Sequence, residues 1–160
     1  MNAVTQNQQN IFETVIRDAL RDPEARLAPR IYVRRHTLTE QSFHEMLSPE
    51  RHTPRPPIST FLAGAHPAVD ITSRFRLTPN WTPTDENESV ELDFDYYASI
   101  PCNKQSQIEF SFTEPVVYGD ESVFYAVSDR GFLWAHGFMC TFSGTFDQPS
   151  NHKIITVWQS

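Results

Sequence analysis

The chain lacks the roughly 18 consecutive apolar residues that a membrane-spanning helix needs, and its opening MNAVTQNQQN has neither a basic n-region nor an apolar h-region. These absences set the expectation of a cytoplasmic location, no membrane partner and reduced thiols at Cys102 and Cys140, its two cysteines. Also missing are G-x-G-x-x-G, the Walker A pattern, H-E-x-x-H, G-x-S-x-G and C-x-x-C, so nothing calls for a nucleotide, a zinc ion or an acyl-transfer serine. No cofactor and no metal site are expected. His44-Glu45 opens like a zincin helix, but Ser48 stands where the second histidine belongs.

Positive charge is scarce in one half. Residues 1–66 carry eight arginines against seven acids, whereas residues 67–160 carry five basic residues against thirteen acids, which splits the net charge of -7 into +1 and -8. An acidic second half repels phosphate, so nucleic acid is not an expected partner. With 39% hydrophobic and 12% aromatic residues in 160, the chain can bury one core. The expected organisation is a polar tail over 1–10 and a single α+β domain over 11–160.

The fold class follows from periodicity. Ile11, Val15 and Ala19 run beside Phe12, Ile16 and Leu20 at helical spacing, with Glu13 and Arg17 as an i,i+4 pair. Asp22-Pro23 starts a second short helix over 24–28, and the capping-box spacing Thr37-Leu38-Thr39-Glu40 starts a third through Phe43, Met46 and Leu47. Ile31 to Val33 suits a short strand, and the proline-rich 48–57 a connection. From Val69 the period is two, first through Leu77 and then from Val90 to Ile100, where Glu91, Asp93 and Asp95 form an outward acidic row facing Arg74 and Arg76. Strands are expected at Ile108 to Phe112, Val116-Val117, Val123 to Val127, Phe132 to Phe142 and Ile154 to Trp158, with turns at Gly119-Asp120 and Gly131. The result is three N-terminal helices packed on a curved, mainly antiparallel sheet of about six strands that pair in sequence order, as a cone or partial barrel.

Two functions fit these residues. The first is a non-catalytic interaction or assembly protein built on an aromatic-lined curved sheet. Its docking residues would be Arg30, Arg34 and Arg35, whose guanidinium forks match carboxylates, and its partner a protein or further copies of the chain. The second is a small pocket enzyme of lyase, isomerase or cyclase type for an apolar or aromatic ligand. It would be lined by Phe94, Phe110, Trp134 and Phe138, with His136 as general acid or base among the aromatics. His136 and Cys140 share a strand face, but four residues at about 3.3 Å each place them about 13 Å apart, too far to share a metal or form a nucleophile pair.

Overall fold

The computed structural model describes residues 9–20, 30–39, 68–79, 84, 86–97, 107–129 and 135–159. Helix α1 spans Ile11–Ala19, where the periodicity puts it. It starts at Asn10 because two orphan donors are satisfied reciprocally. The Asn10 side chain accepts from the Glu13 N–H at 2.9 Å, and the Glu13 carboxylate accepts from the Asn10 N–H at 3.2 Å. The apolar face of α1 buries Ile11, Phe12, Val15 and Ile16 completely or nearly so. Each such side chain contributes about 1.5–3 kcal/mol relative to exposure.

Among the described residues, seven strands form one open, mixed sheet in the order β2-β1-β3-β5-β6-β7, with β4 alongside β5. The strands are β1 (Arg30–Arg34), β2 (Ser89–Glu91), β3 (Gln107–Phe112), β4 (Val116–Tyr118), β5 (Glu121–Asp129), β6 (Ala135–Gly144) and β7 (Pro149–Gln159). β1 lies between β2 and β3, antiparallel to the first and parallel to the second. β3 and β4 follow one another along the same edge of β5, interrupted by Thr113-Glu114-Pro115. Across that gap the Thr113 N–H donates to the Tyr125 carbonyl at 2.9 Å, and the Thr113 hydroxyl accepts from the Tyr125 N–H at 2.8 Å. A side-chain oxygen thereby takes the place of a main-chain carbonyl in one rung of the ladder.

Register divides the side chains between two faces. One face carries Ile31, Val33, Val90, Ile108, Phe110, Phe112, Phe124, Ala126, Phe138, Cys140 and Phe142. Phe12 of α1 lands on it, stacking on Phe112 with centroids 4.2 Å apart and meeting Phe124 and Phe146 edge-on at 5.0 and 4.9 Å. The Ile11 N–H donates to the Phe146 carbonyl at 3.0 Å, tying the start of the helix to the β6–β7 turn. In that turn Gly144 has φ +81°, and a Cβ there would lie 2.6 Å from the Gln148 carbonyl oxygen, so glycine is required.

Several expectations are corrected. The fold is not three helices on a sheet: among the described residues there is one helix of more than two turns and a short one, α2 (Phe94–Tyr97). The second expected helix, over 24–28, lies outside the described residues. The third does not begin at Thr37, whose hydroxyl accepts from the Val69 N–H at 2.9 Å instead of capping, while the Leu38 N–H donates to Phe112; residues 40–47 lie outside the description.

Val69 to Leu77 is no strand. The Asp70 carboxylate accepts from the Thr72 N–H at 2.9 Å and starts a 3-10 turn over Thr72–Arg74, leaving isolated bridges at Asp70 and Leu77. The strand from Val90 stops at Glu91, because the Asp93 carbonyl accepts from Tyr96 and Tyr97 and winds the chain into α2. The acidic row is thus broken: Asp93 pairs with Arg76 at 3.3 Å, while Arg74 reaches Glu114. Among the described residues the strands number seven rather than about six, the sheet they form does not close into a cone or barrel, and β1 inserts between β2 and β3 out of sequence order.

Candidate functional site

Arg30, Tyr32 and Arg34 alternate on β1, so their side chains leave the same face of the sheet, opposite the one α1 covers. The intervening Ile31 and Val33 are fully buried, which fixes this register. Arg30 is exposed, and Tyr32 and Arg34 are half-buried. Neighbouring strands frame the row: Tyr32 lies between Glu91 on β2 and Glu109 on β3, and Arg34 lies across from Ser89. The Ser89 hydroxyl donates to the Glu109 carboxylate. Tyr32 is thus flanked along the strand by Arg30 and Arg34 and across it by Glu91 and Glu109.

Arg35, one residue on, serves a different purpose. Its Nε donates to Asp70 at 2.8 Å and its Nη1 to the Thr84 carbonyl at 2.6 Å, clamping the strand end to the following loop. Partial burial pushes the Asp70 carboxyl up, but hydrogen bonding from Thr72 and the charge of Arg35 outweigh it and hold the group at about 2. Of the expected docking trio, Arg30 and Arg34 share a surface and Arg35 is turned into an internal ion pair. Among the described residues neither Arg30 nor Arg34 has a hydrogen bond or ion pair, whereas Arg35, Arg74 and Arg76 are tied to Asp70, Glu114 and Asp93.

The residues expected around a pocket are partly assembled. His136 is half-buried on β6, directly across from Ser128 of β5, which in turn pairs with Phe110 of β3. Phe138 lies edge-on to His136 with centroids 6.0 Å apart. Phe110 is fully buried in the core. Phe94 is half-buried on α2 and packs against the core from there, and Trp134 lies outside the described residues.

Comparison with known protein families, curated proteins and solved structures found no match. The site's chemistry therefore rests on its own residues.

Two buried groups carry the largest shifts. Burial, reinforced by the Glu13 carboxylate, drives the Tyr97 hydroxyl well above its ordinary value, and burial with the nearby Asp18 charge pushes the Cys140 thiol up to about 12. Cys140 is a free thiol held neutral in the core, an inert state for a nucleophile. Tyr97 donates to the Glu13 carboxylate at 2.6 Å and accepts from the Arg76 N–H at 2.8 Å. This buried junction of α1, α2 and the 3-10 turn was not readable from spacing, since 84 residues separate its partners. Tyr32 was readable: Arg-Ile-Tyr-Val-Arg alternates, and the ring between the arginines follows from the period. No group of three or more histidine, cysteine or acidic side chains among the described residues is placed to hold a metal, and no helix there is long and apolar enough to cross a membrane.

Proposed function

We propose that this protein is a non-catalytic interaction and assembly protein whose docking surface is the Arg30–Tyr32–Arg34 row of β1. The observation that carries this reading is that both guanidiniums stand beside a half-buried tyrosine with no acceptor among the described residues. Tyrosine and arginine dominate the energetics of protein interfaces, and arginine's rigid fork selects carboxylates. The flanking Glu91 and Glu109 balance the patch and repel a phosphate backbone, which favours a protein surface over nucleic acid.

The chain itself offers a counterpart. At the β4–β5 turn, Val117 and Tyr118 are 73% and 46% exposed beside the exposed acids Asp120 and Glu121. A second copy would set this apolar, acidic tip on the basic, aromatic row. Sedimentation velocity over a range of concentrations tests it. Self-association that is weakened by Arg34→Glu and restored by adding Glu121→Arg supports the reading; a monomer throughout, with wild type and Arg34→Glu alike, refutes it.

A second reading keeps the pocket enzyme. It is supported by the small residues Ala126 and Ser128 on β5, which lie between the large rings of Phe110 and Phe112 on β3 and of His136 and Phe138 on β6. Here His136 transfers the proton and the aromatics hold an apolar ligand. A wild-type protein that binds no small aromatic compound, or a Phe138→Ala variant that binds them as wild type does, would remove this reading.

A further inference from the structure

Arg17 lies in the last turn of α1, half-buried, with its Nε buried and without a hydrogen-bond partner. Its guanidinium instead lies over aromatic rings, 4.8 Å from the centroid of Tyr96 and 5.5 Å from that of Tyr97. The two rings meet edge to face at 4.9 Å. The Arg76 guanidinium also lies over Tyr96, again at 4.8 Å, and spends one of its donors on Asp93.

Stacking on an aromatic ring fixes the plane of a guanidinium without consuming any of its N–H donors. Arg17 is therefore immobilised and partly desolvated with its donors unspent, an arrangement whose ordering cost is already met before any acceptor arrives. Arg74 shows the contrast. It too lies over a ring, 4.9 Å from Phe146, but gives its donors to the Glu114 carboxylate. What Glu114 does for Arg74, no described group does for Arg17.

We propose that Arg17, Tyr96 and Arg76 form a recognition site for a carboxylate, with Arg17 as its bidentate anchor and Arg76 as a second cation over the same tyrosine ring. The site is separate from the β1 surface and does not depend on that reading. Carboxylate is favoured over phosphate by the surroundings. Glu13 and Asp18 lie on α1, Asp95 on α2 and Asp93 just before it, so a singly charged ligand meets less repulsion than a doubly charged one.

The test follows the arginine Nε–H signals by NMR in the full-length protein at low salt. Acetate and a glutamate-containing tetrapeptide are titrated in separate experiments, with sodium chloride as the ionic-strength control. A saturable shift of Arg17 Nε–H with acetate indicates a free carboxylate ligand, and one with the peptide alone indicates a carboxylate presented by a protein. Either supports the site. Arg17→Gln is expected to weaken binding about tenfold to a hundredfold, the range for a lost charged hydrogen bond. Because Arg17→Gln also alters the helix end, Tyr96→Leu is the second variant. It keeps the charge, removes the stacking platform, and is expected to weaken binding while the amide spectrum stays that of the folded protein. No saturable shift with either probe, or tighter binding of inorganic phosphate than of acetate, would overturn the assignment.

Discussion

Replacing Tyr97 by phenylalanine removes a single hydroxyl and keeps the ring, so its effect can be worked out from two hydrogen bonds. That hydroxyl donates to a buried carboxylate at 2.6 Å and accepts from a backbone N–H at 2.8 Å. Hydrogen bonds to charged groups contribute about 1.5–3 kcal/mol, and an orphaned buried donor costs about 1–3 kcal/mol more. Glu13 stays tied to Asn10, and Arg76 lies at an exposed position where water can reach its N–H, so the two figures do not add in full. A loss of about 2–4 kcal/mol is expected. For a chain of 160 residues this lowers Tm by about 5–15 °C.

Urea unfolding followed by fluorescence measures the loss directly, and an unchanged slope would show that the folded and unfolded states keep their compactness. The same variant has a pH signature. The folded-state value of Tyr97 is raised, so its contribution is intact below the unfolded value of 10.0 and is lost as pH climbs beyond it. Wild type should therefore lose stability above about pH 10 more steeply than Tyr97→Phe. A loss below about 0.5 kcal/mol with superimposable alkaline limbs would refute the account of this junction.

Phe12→Ala should cost about 3–5 kcal/mol and Phe12→Leu about 1–1.5 kcal/mol, since the first leaves a cavity between Phe112, Phe124 and Phe146; equal losses in urea titrations would contradict the packing. Asp70, held at about 2 against an ordinary 3.8, stabilises the fold above about pH 4 and ceases to do so as pH falls through 2. Because its carboxylate is exposed, Asp70→Asn should cost only a few tenths to about 1 kcal/mol at pH 7 and flatten the acid limb between pH 4 and 2, read from urea midpoints at each pH. Gly144→Ala should lower stability by about 1–3 kcal/mol, through the positive φ and the clash with Gln148, and a thermal scan matching wild type would show that the turn relaxes freely.

Helical spacing made α1 legible, alternation made β3 and β6 legible, and short apolar runs marked β5 and the second half of β7, which starts at Pro149 rather than Ile154. Alternation misled at Val69 to Leu77 and from Leu92 onward. At both places apolar and polar residues alternate in the sequence much as they would in a strand, but short-range hydrogen bonds to the Asp70 side chain and the Asp93 main-chain carbonyl wind the backbone instead. Local hydrogen bonds of this kind leave no trace in a hydrophobic pattern. Sheet order was hidden for another reason: nothing in Arg-Ile-Tyr-Val-Arg tells whether β1 pairs with its neighbour in sequence or with a strand more than seventy residues away. For the candidate site, Arg30 and Arg34 could be named from the sequence, but the loss of Arg35 to Asp70 depends on a contact 35 residues away.

The parallel pairing of β1 with β3 also orders events during synthesis. Strand β1 leaves the ribosome long before β3, and Phe12 must wait for Phe112, Phe124 and finally Phe146 before its ring is covered. The β5–β6–β7 meander, by contrast, needs only local turns and can form as soon as it emerges. On topological grounds the β5–β6–β7 meander is then the template onto which the earlier helix and strand dock. While the chain grows, the apolar stripe of α1 is an unmet sticky surface, the condition in which nascent chains recruit chaperones.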